Sequence, residues 1–208
     1  MRDRWATDRI EAFSDGVFAI AITLLVLEIG VPESGLEDLW AGIADQWPSY
    51  FAYVTSFTTI GGIWMGHHGI FRRMASADSA VMRLNLLLLM LVSFLPFPTK
   101  LLAETLNAPS EETAAVILYG AVLLAISITT SLLWRHIAVN RDLLEPGVSE
   151  EEVKRITDRT TPNIGFYIVV ILLALVAPQA AAVGFLVIAV VSVFRQRGGE
   201  SRGASAPT

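Results

Sequence analysis

PNIGFYIVVILLALVAPQAAAVGFLVIAVVSVF, residues 162–194, runs for 33 residues without a charge. As one straight helix it would reach ~50 Å at 1.5 Å per residue, too far for a ~30 Å hydrocarbon layer unless steeply tilted. Ala177-Pro178 interrupts it near the middle. Proline removes a backbone donor, clashes with the turn before it and pushes the preceding residue towards extended backbone. The stretch therefore predicts two short spans, 162–177 and 179–194, joined by a tight turn at Pro178.

Four further apolar runs precede it, at about 10–29, 48–66, 84–99 and 113–134. The third reaches spanning length if Arg83 and Lys100 snorkel to the two interfaces. Six spans with both termini in the cytoplasm place segments 1–9, 67–83, 135–161 and 195–208 inside. Those segments hold Arg2, Arg4, Arg9, Arg72, Arg73, Arg83, Arg135, Arg141, Lys154, Arg155, Arg159, Arg195, Arg197 and Arg202, every Lys and Arg except Lys100. The outer loops carry Glu33, Glu37, Asp38, Asp45, Glu104, Glu111 and Glu112 instead. Five spans would put Arg195, Arg197 and Arg202 outside, against the positive-inside bias. Six spans fit.

Composition agrees. Of 208 residues 53% are hydrophobic and 17% charged, where soluble domains carry about a quarter charged. The mean hydropathy is +0.56. With no cysteine, disulfides, thiolate metal sites and cysteine nucleophiles are excluded. The first run carries Asp15 and no small-x-small cleavage site follows it, so it predicts a retained span. The expected architecture is an all-α, polytopic, multi-pass protein of the cell membrane. One transmembrane domain covers 1–197, and 198–208 form a Gly/Ser/Ala-rich disordered tail. Within 135–161, Ser149 followed by Glu150, Glu151 and Glu152 predicts a capped short helix.

The first run opens Arg9-Ile-Glu-Ala-Phe13-Ser14-Asp15. Trp64-x-x-His67-His68 closes the second, and Asn85 with Leu-Pro-Phe-Pro-Thr at 95–99 marks the third. In this order the set resembles the transmembrane-protein-175 family, the endosomal and lysosomal potassium channels and their bacterial relatives. The resemblance covers roughly the first half of the chain. It implies a potassium-permeable cation channel rather than an enzyme. Its bacterial members are similar single six-helix units, which implies a homotetramer with the first helix lining the pore. The implied partners are copies of the chain, membrane lipid and permeant monovalent cations, with no nucleic acid and no cofactor beyond permeant K⁺.

At 100° per residue, Phe13, Gly16, Leu24 and Leu27 fall within about 40° of Ile20, and Thr23 at about 60°. By resemblance Ile20 matches the family's hydrophobic constriction, and Thr23 the polar layer just outward; Leu24 and Leu27 extend the stripe. An apolar ring gates by excluding water. No T-V-G-Y-G filter is present, so modest K⁺ over Na⁺ preference and some proton leak are expected. Ile and Leu at helical spacing also suit plain packing or a lipid-facing surface. Glu28, Glu33, Glu37 and Asp38 read either as a cation-concentrating outer mouth or as a solvated loop obeying the charge bias.

Asp15, Arg9, His67 and His68 are costly in or near hydrocarbon and need partners. Arg9 and Asp15 lie about 240° apart on the helix and cannot pair with each other. The expected arrangement is a clamp in which they reach the histidines, together with Asn85, on the second and third helices. Phe13, Ser14 and Trp64 complete the signature. Histidine titrates near neutrality, so a proton sensor is the alternative role. Adjacent His67 and His68 point about 100° apart, which argues against a metal site. Ser14 beside Asp15 lacks an oxyanion hole, which argues against a hydrolase. Two other functions stay open: a proton-coupled transporter using Asp15 and the histidines as a relay, and a non-conducting assembly subunit.

Overall fold

The computed structural model describes residues 5–30, 38–106, 111–160 and 162–197. The tail 198–208, Glu33 and Glu37 lie outside them. Nine α-helices run through the described residues: α1 (Thr7–Leu24), α2 (Leu39–Asp45), α3 (Trp47–Phe71), α4 (Ser79–Phe94), α5 (Pro96–Thr105), α6 (Glu112–Val139), α7 (Glu150–Thr160), α8 (Pro162–Ala174) and α9 (Pro178–Arg197). A 3₁₀ turn, Leu25–Glu28, tightens the end of α1. Three stretches are long and apolar enough on their own to cross a membrane: Thr7–Glu28, Ser79–Thr105 and Glu112–Val139. α3 has the length at 25 residues, but Thr55, Ser56, Thr59 and Gly62 dilute its apolar character. Those four are buried, so its polar side faces the bundle. α8 and α9 contribute the shorter apolar helices Ile164–Ala174 and Pro178–Phe194.

Local chemistry explains the boundaries. The α8 helix stops at Ala174 and α9 starts at Pro178, where proline suits a helix's first position. The third apolar run is two helices meeting at Leu95. Pro96 and Pro98 lack the N–H groups that would reach Val92 and Phe94, and the Leu95 N–H turns to the Val92 carbonyl at 3.1 Å. It also begins earlier than the apolar run does, because Asp78 caps α4 by accepting from Ala80 N (3.0 Å) and Val81 N (2.9 Å). The Ser149 hydroxyl accepts from Glu152 N at 3.2 Å, and Glu150, Glu151 and Glu152 in the first turn of α7 suit the helix dipole.

Polar groups tie the break at Leu95 to its neighbours. The Thr99 hydroxyl donates to the Leu95 carbonyl (2.8 Å), so it accepts from Ser56 (2.8 Å), and Ser56 in turn accepts from Tyr119 (3.0 Å). This directed chain joins α6, α3 and α5, and every hydroxyl in it is buried. In hydrocarbon an unmade bond has no water to fall back on.

α3 packs against α9, α5 and α1, and α6 against α8, α4, α5 and α9. Lipid tails give helices no hydrophobic reason to associate, so close backbone approach and dispersion must hold them. Among the described glycines Gly120 has the least room: a Cβ there would lie 2.6 Å from Ile171 Cγ1 and 2.7 Å from Phe185 Cζ. Gly120→Ala is therefore expected to destabilise by about 1–3 kcal/mol, the usual cost of overpacking. Gly165→Ala, with nothing within 4 Å, should hold or gain stability. Thermal unfolding in detergent checks the contrast.

One end of the bundle is laced through residues 72–78. Trp5 and Ala77 exchange backbone hydrogen bonds at 2.9 and 3.0 Å, so the segment leading into α1 is fixed to the turn before α4. Ala75 N reaches Leu143 O, and Glu145 N reaches Arg73 O, both at 2.9 Å. Arg73 Nε donates to Glu152 at 2.7 Å, and Trp134 Nε1 to Thr157 at 2.9 Å, which docks α7. His136 Nε2 lies 2.9 Å from Asp78 Oδ2. Burial alone would raise the Asp78 carboxyl, but the Val81 N–H and the His136 ring outweigh it and hold it below the usual range.

Candidate pore-lining site

The α1 helix has two faces. Ile10, Ser14, Phe18, Ala21 and Leu25, spaced three or four apart, are buried against α3 and α4. Phe13, Ile20, Leu24 and Leu27 are 59%, 61%, 40% and 73% exposed. Gly16 and Thr23 are exposed with them. This uncovered stripe runs the length of the helix. With Leu89 and Met90 of α4 it walls an apolar groove of about 460 Å³. Soluble monomers rarely expose apolar surface so continuously, so the face requires lipid or another chain. The Thr23 hydroxyl donates back to the Ile20 carbonyl at 2.9 Å. Its lone pairs remain free to accept on the exposed side.

The buried side of α1 carries the polar links. His67 Nε2–H donates to Asn85 Oδ1 (2.8 Å), Asn85 Nδ2–H donates to Ser14 Oγ (3.0 Å), and Ser14 donates to the Ile10 carbonyl (2.8 Å). With Asn85 Oδ1 as acceptor, this sequence of donors fixes His67 as the Nε2–H tautomer. Its ring stacks on Phe71 (centroids 4.3 Å apart, 20° between planes) and lies 5.3 Å from Phe18. His67, Asn85 and Ser14 are 1%, 2% and 0% exposed, so the chain is dry.

Around this core the partners differ from the expected clamp. Asp15 accepts from Trp64 Nε1 at 2.8 Å, not from a histidine. His68 Nδ1 stands 2.6 Å from Glu11 Oε1, and its ring stacks on Trp64 with centroids 5.9 Å apart. Arg9 is exposed and has no hydrogen bond or ion pair among the described residues. Phe13 sits on the exposed stripe, away from the polar chain. Ser14, Asp15, Trp64, His67, His68 and Asn85 are brought together; Arg9 and Phe13 are not among them. Glu11 was not singled out by sequence, although it lies four residues before Asp15 and so shares the side of α1 that meets α3.

At the other end of the stripe, Glu28 Oε2 lies 3.3 Å from Lys100 Nζ. Asp38 caps α2, accepting from Ala41 N at 3.2 Å.

The family described as endosomal/lysosomal potassium channel TMEM175 matches residues 9–96, which include the whole stripe and every residue of the polar cluster. A potassium channel of Chamaesiphon minutus is 47% identical over 174 residues, 82% of this chain and 85% of that one. A potassium channel of Streptomyces collinus is 41% identical over 202 residues, 96% of this chain and 98% of that one. Among solved structures, the crystal structure of a lysosomal potassium-selective channel TMEM175 homolog from Chamaesiphon minutus aligns with a TM-score of 0.83 at 42% identity. That alignment covers 91% of this chain and 97% of the other.

Proposed function

The chain belongs to the TMEM175 family of potassium channels, and from that premise we propose that it forms a potassium-permeable pore from four copies meeting along α1. It is a multi-pass membrane protein and its relatives are ion channels, not enzymes. The observation that carries the pore reading is the uncovered stripe of α1: the helix buries one face against α3 and α4 and leaves Phe13, Ile20, Leu24 and Leu27 open.

In the assembled pore the four Ile20 side chains form the narrowest ring. An apolar constriction of that kind closes by dewetting, since a column of water or a hydrated ion finds no partner there. Thr23 lies three residues further along. Its proton is committed to the Ile20 carbonyl, so a ring of such hydroxyls offers acceptor oxygen to a partly dehydrated cation. Hydroxyl rings discriminate by field strength less sharply than a carbonyl cage, which fits modest K⁺ over Na⁺ selectivity. Water that wets the constriction also carries a proton leak. The polar cluster of Ser14, Asp15, Trp64, His67, His68 and Asn85 sets the angle at which α1 meets its copies. Six spans place both termini in the cytoplasm of the cell, by the distribution of Lys and Arg.

The test is reconstitution into liposomes under a K⁺ gradient, with Na⁺ and H⁺ gradients as controls. Flux that grows with gradient, favours K⁺ over Na⁺ and needs no proton gradient is the expected result. Flux that saturates and stops when the proton gradient is removed would mark a coupled transporter. Silent vesicles holding folded protein would mark an assembly subunit.

A further inference from the structure

We propose that Lys100 sets the electrostatic potential at the Glu28 end of the pore, and so tunes cation conductance without lining the constriction. The inference rests on the pore reading above and adds a residue that the stripe does not contain.

Glu28 is the last residue of the 3₁₀ turn that closes α1, directly after Leu27, the most exposed residue of the stripe. Whatever passes along the stripe therefore meets the Glu28 carboxylate on entering or leaving. That carboxylate is not free. Lys100 Nζ lies 3.3 Å from Oε2, with Glu28 28% and Lys100 52% exposed. Lys100 belongs to α5, which packs on the 3₁₀ turn. The preceding residue, Thr99, is pinned by the hydroxyl chain through Ser56 and Tyr119. The base of the lysine stem is therefore held in place, and the ammonium does not depend on a loop to reach its partner.

A carboxylate alone at a pore mouth raises local cation concentration; a carboxylate with an ammonium beside it is a dipole, whose field falls off much faster. Lys100 is also the one basic residue that falls on the acidic side in the charge distribution of the sequence. Repeated around the axis, the pair adds no net charge to this mouth, where four bare carboxylates would add four negative ones.

Planar-bilayer conductance of four variants tests this. At about 10 mM KCl the Debye length is ~30 Å, and at about 1 M it is ~3 Å, so salt separates electrostatics from gating. Lys100→Gln bares Glu28 and should raise unitary cation conductance about two- to fivefold at low salt, with the gain gone at high salt. Glu28→Gln bares Lys100 and should lower it under the same conditions. The double variant again adds no net charge at this position and should return to the wild-type value. Lys100→Arg keeps the charge and should conduct like wild type, which controls for folding.

Four flat traces at low salt would overturn the proposal. Single variants that both lose conductance at every salt concentration would overturn it too, showing the pair to be a tether between α1 and α5. Ile20→Asn measured alongside keeps the two readings apart. If it alters conductance while the charge variants do not, the stripe stands and the role of Lys100 falls. If it too conducts like wild type, the pore reading has failed and takes this inference with it.

Discussion

Replacing Ile20 by Asn should convert a constricted pore into a leaking one. Ile20 stands 61% exposed on the uncovered face of α1, bordering the open groove against α4 rather than the buried core. An amide there supplies donors and acceptors that hold water where the isoleucine excluded it. Resting K⁺ flux from liposomes is expected to rise about tenfold, equivalent to ~1.4 kcal/mol off the barrier to permeation. The preference for K⁺ over Na⁺ should shrink as the ring widens its hydration. Ile20→Leu keeps an apolar ring and should stay near wild type. Both variants should elute from gel filtration as the wild type does, since neither side chain touches the buried face.

The second large effect concerns stability. Asn85→Ala removes the acceptor of the His67 Nε2–H and the donor to Ser14 in one step. All three groups are dry, so the imidazole N–H is left unpaired, at a cost of about 1–3 kcal/mol. Side-chain hydrogen bonds between membrane helices average less than that, about 0.6 kcal/mol. Asn85 stands above that average because it serves two helices at once. Thermal unfolding in detergent should show the loss. His67→Ala should cost a comparable amount, and the double variant much less than the sum of the two, because both singles break one network. Additive losses would show that the residues act separately.

Much of the fold is legible in the sequence, for physical reasons. Proline at 178 ends one helix and starts the next because it lacks an N–H. Ser149 and the three glutamates after it announce α7 by capping and dipole chemistry. The helical wheel separated the stripe of Ile20 from the buried side because α1 keeps a regular period until Leu24. The partners of the polar residues were less legible. Residue type points Asp15 towards a histidine, whereas it meets Trp64. Its approach to α3 depends on the rotation of both helices, which residue type alone does not fix. Ser14 carries the link to Asn85, and this one had a signal: it lies four residues from both Ile10 and Phe18 on the buried face. The backbone pairing of Trp5 with Ala77 left no trace in sequence, because main-chain groups are the same at every residue. The early start of α4 was hidden by Arg83, which cut the apolar run short although the Asp78 cap lies just upstream.

The pore requires the Ile20 face of α1 to meet its own copies at an axis. The chain has no cysteine, so single cysteines report contacts without background. Oxidative cross-linking of Ile20→Cys in native membranes should give disulfide-linked dimers, while Val176→Cys, 86% exposed in the turn between α8 and α9, should stay monomeric on denaturing gels. Monomeric Ile20→Cys under conditions that cross-link Val176→Cys would turn that face outward to lipid and contradict the pore.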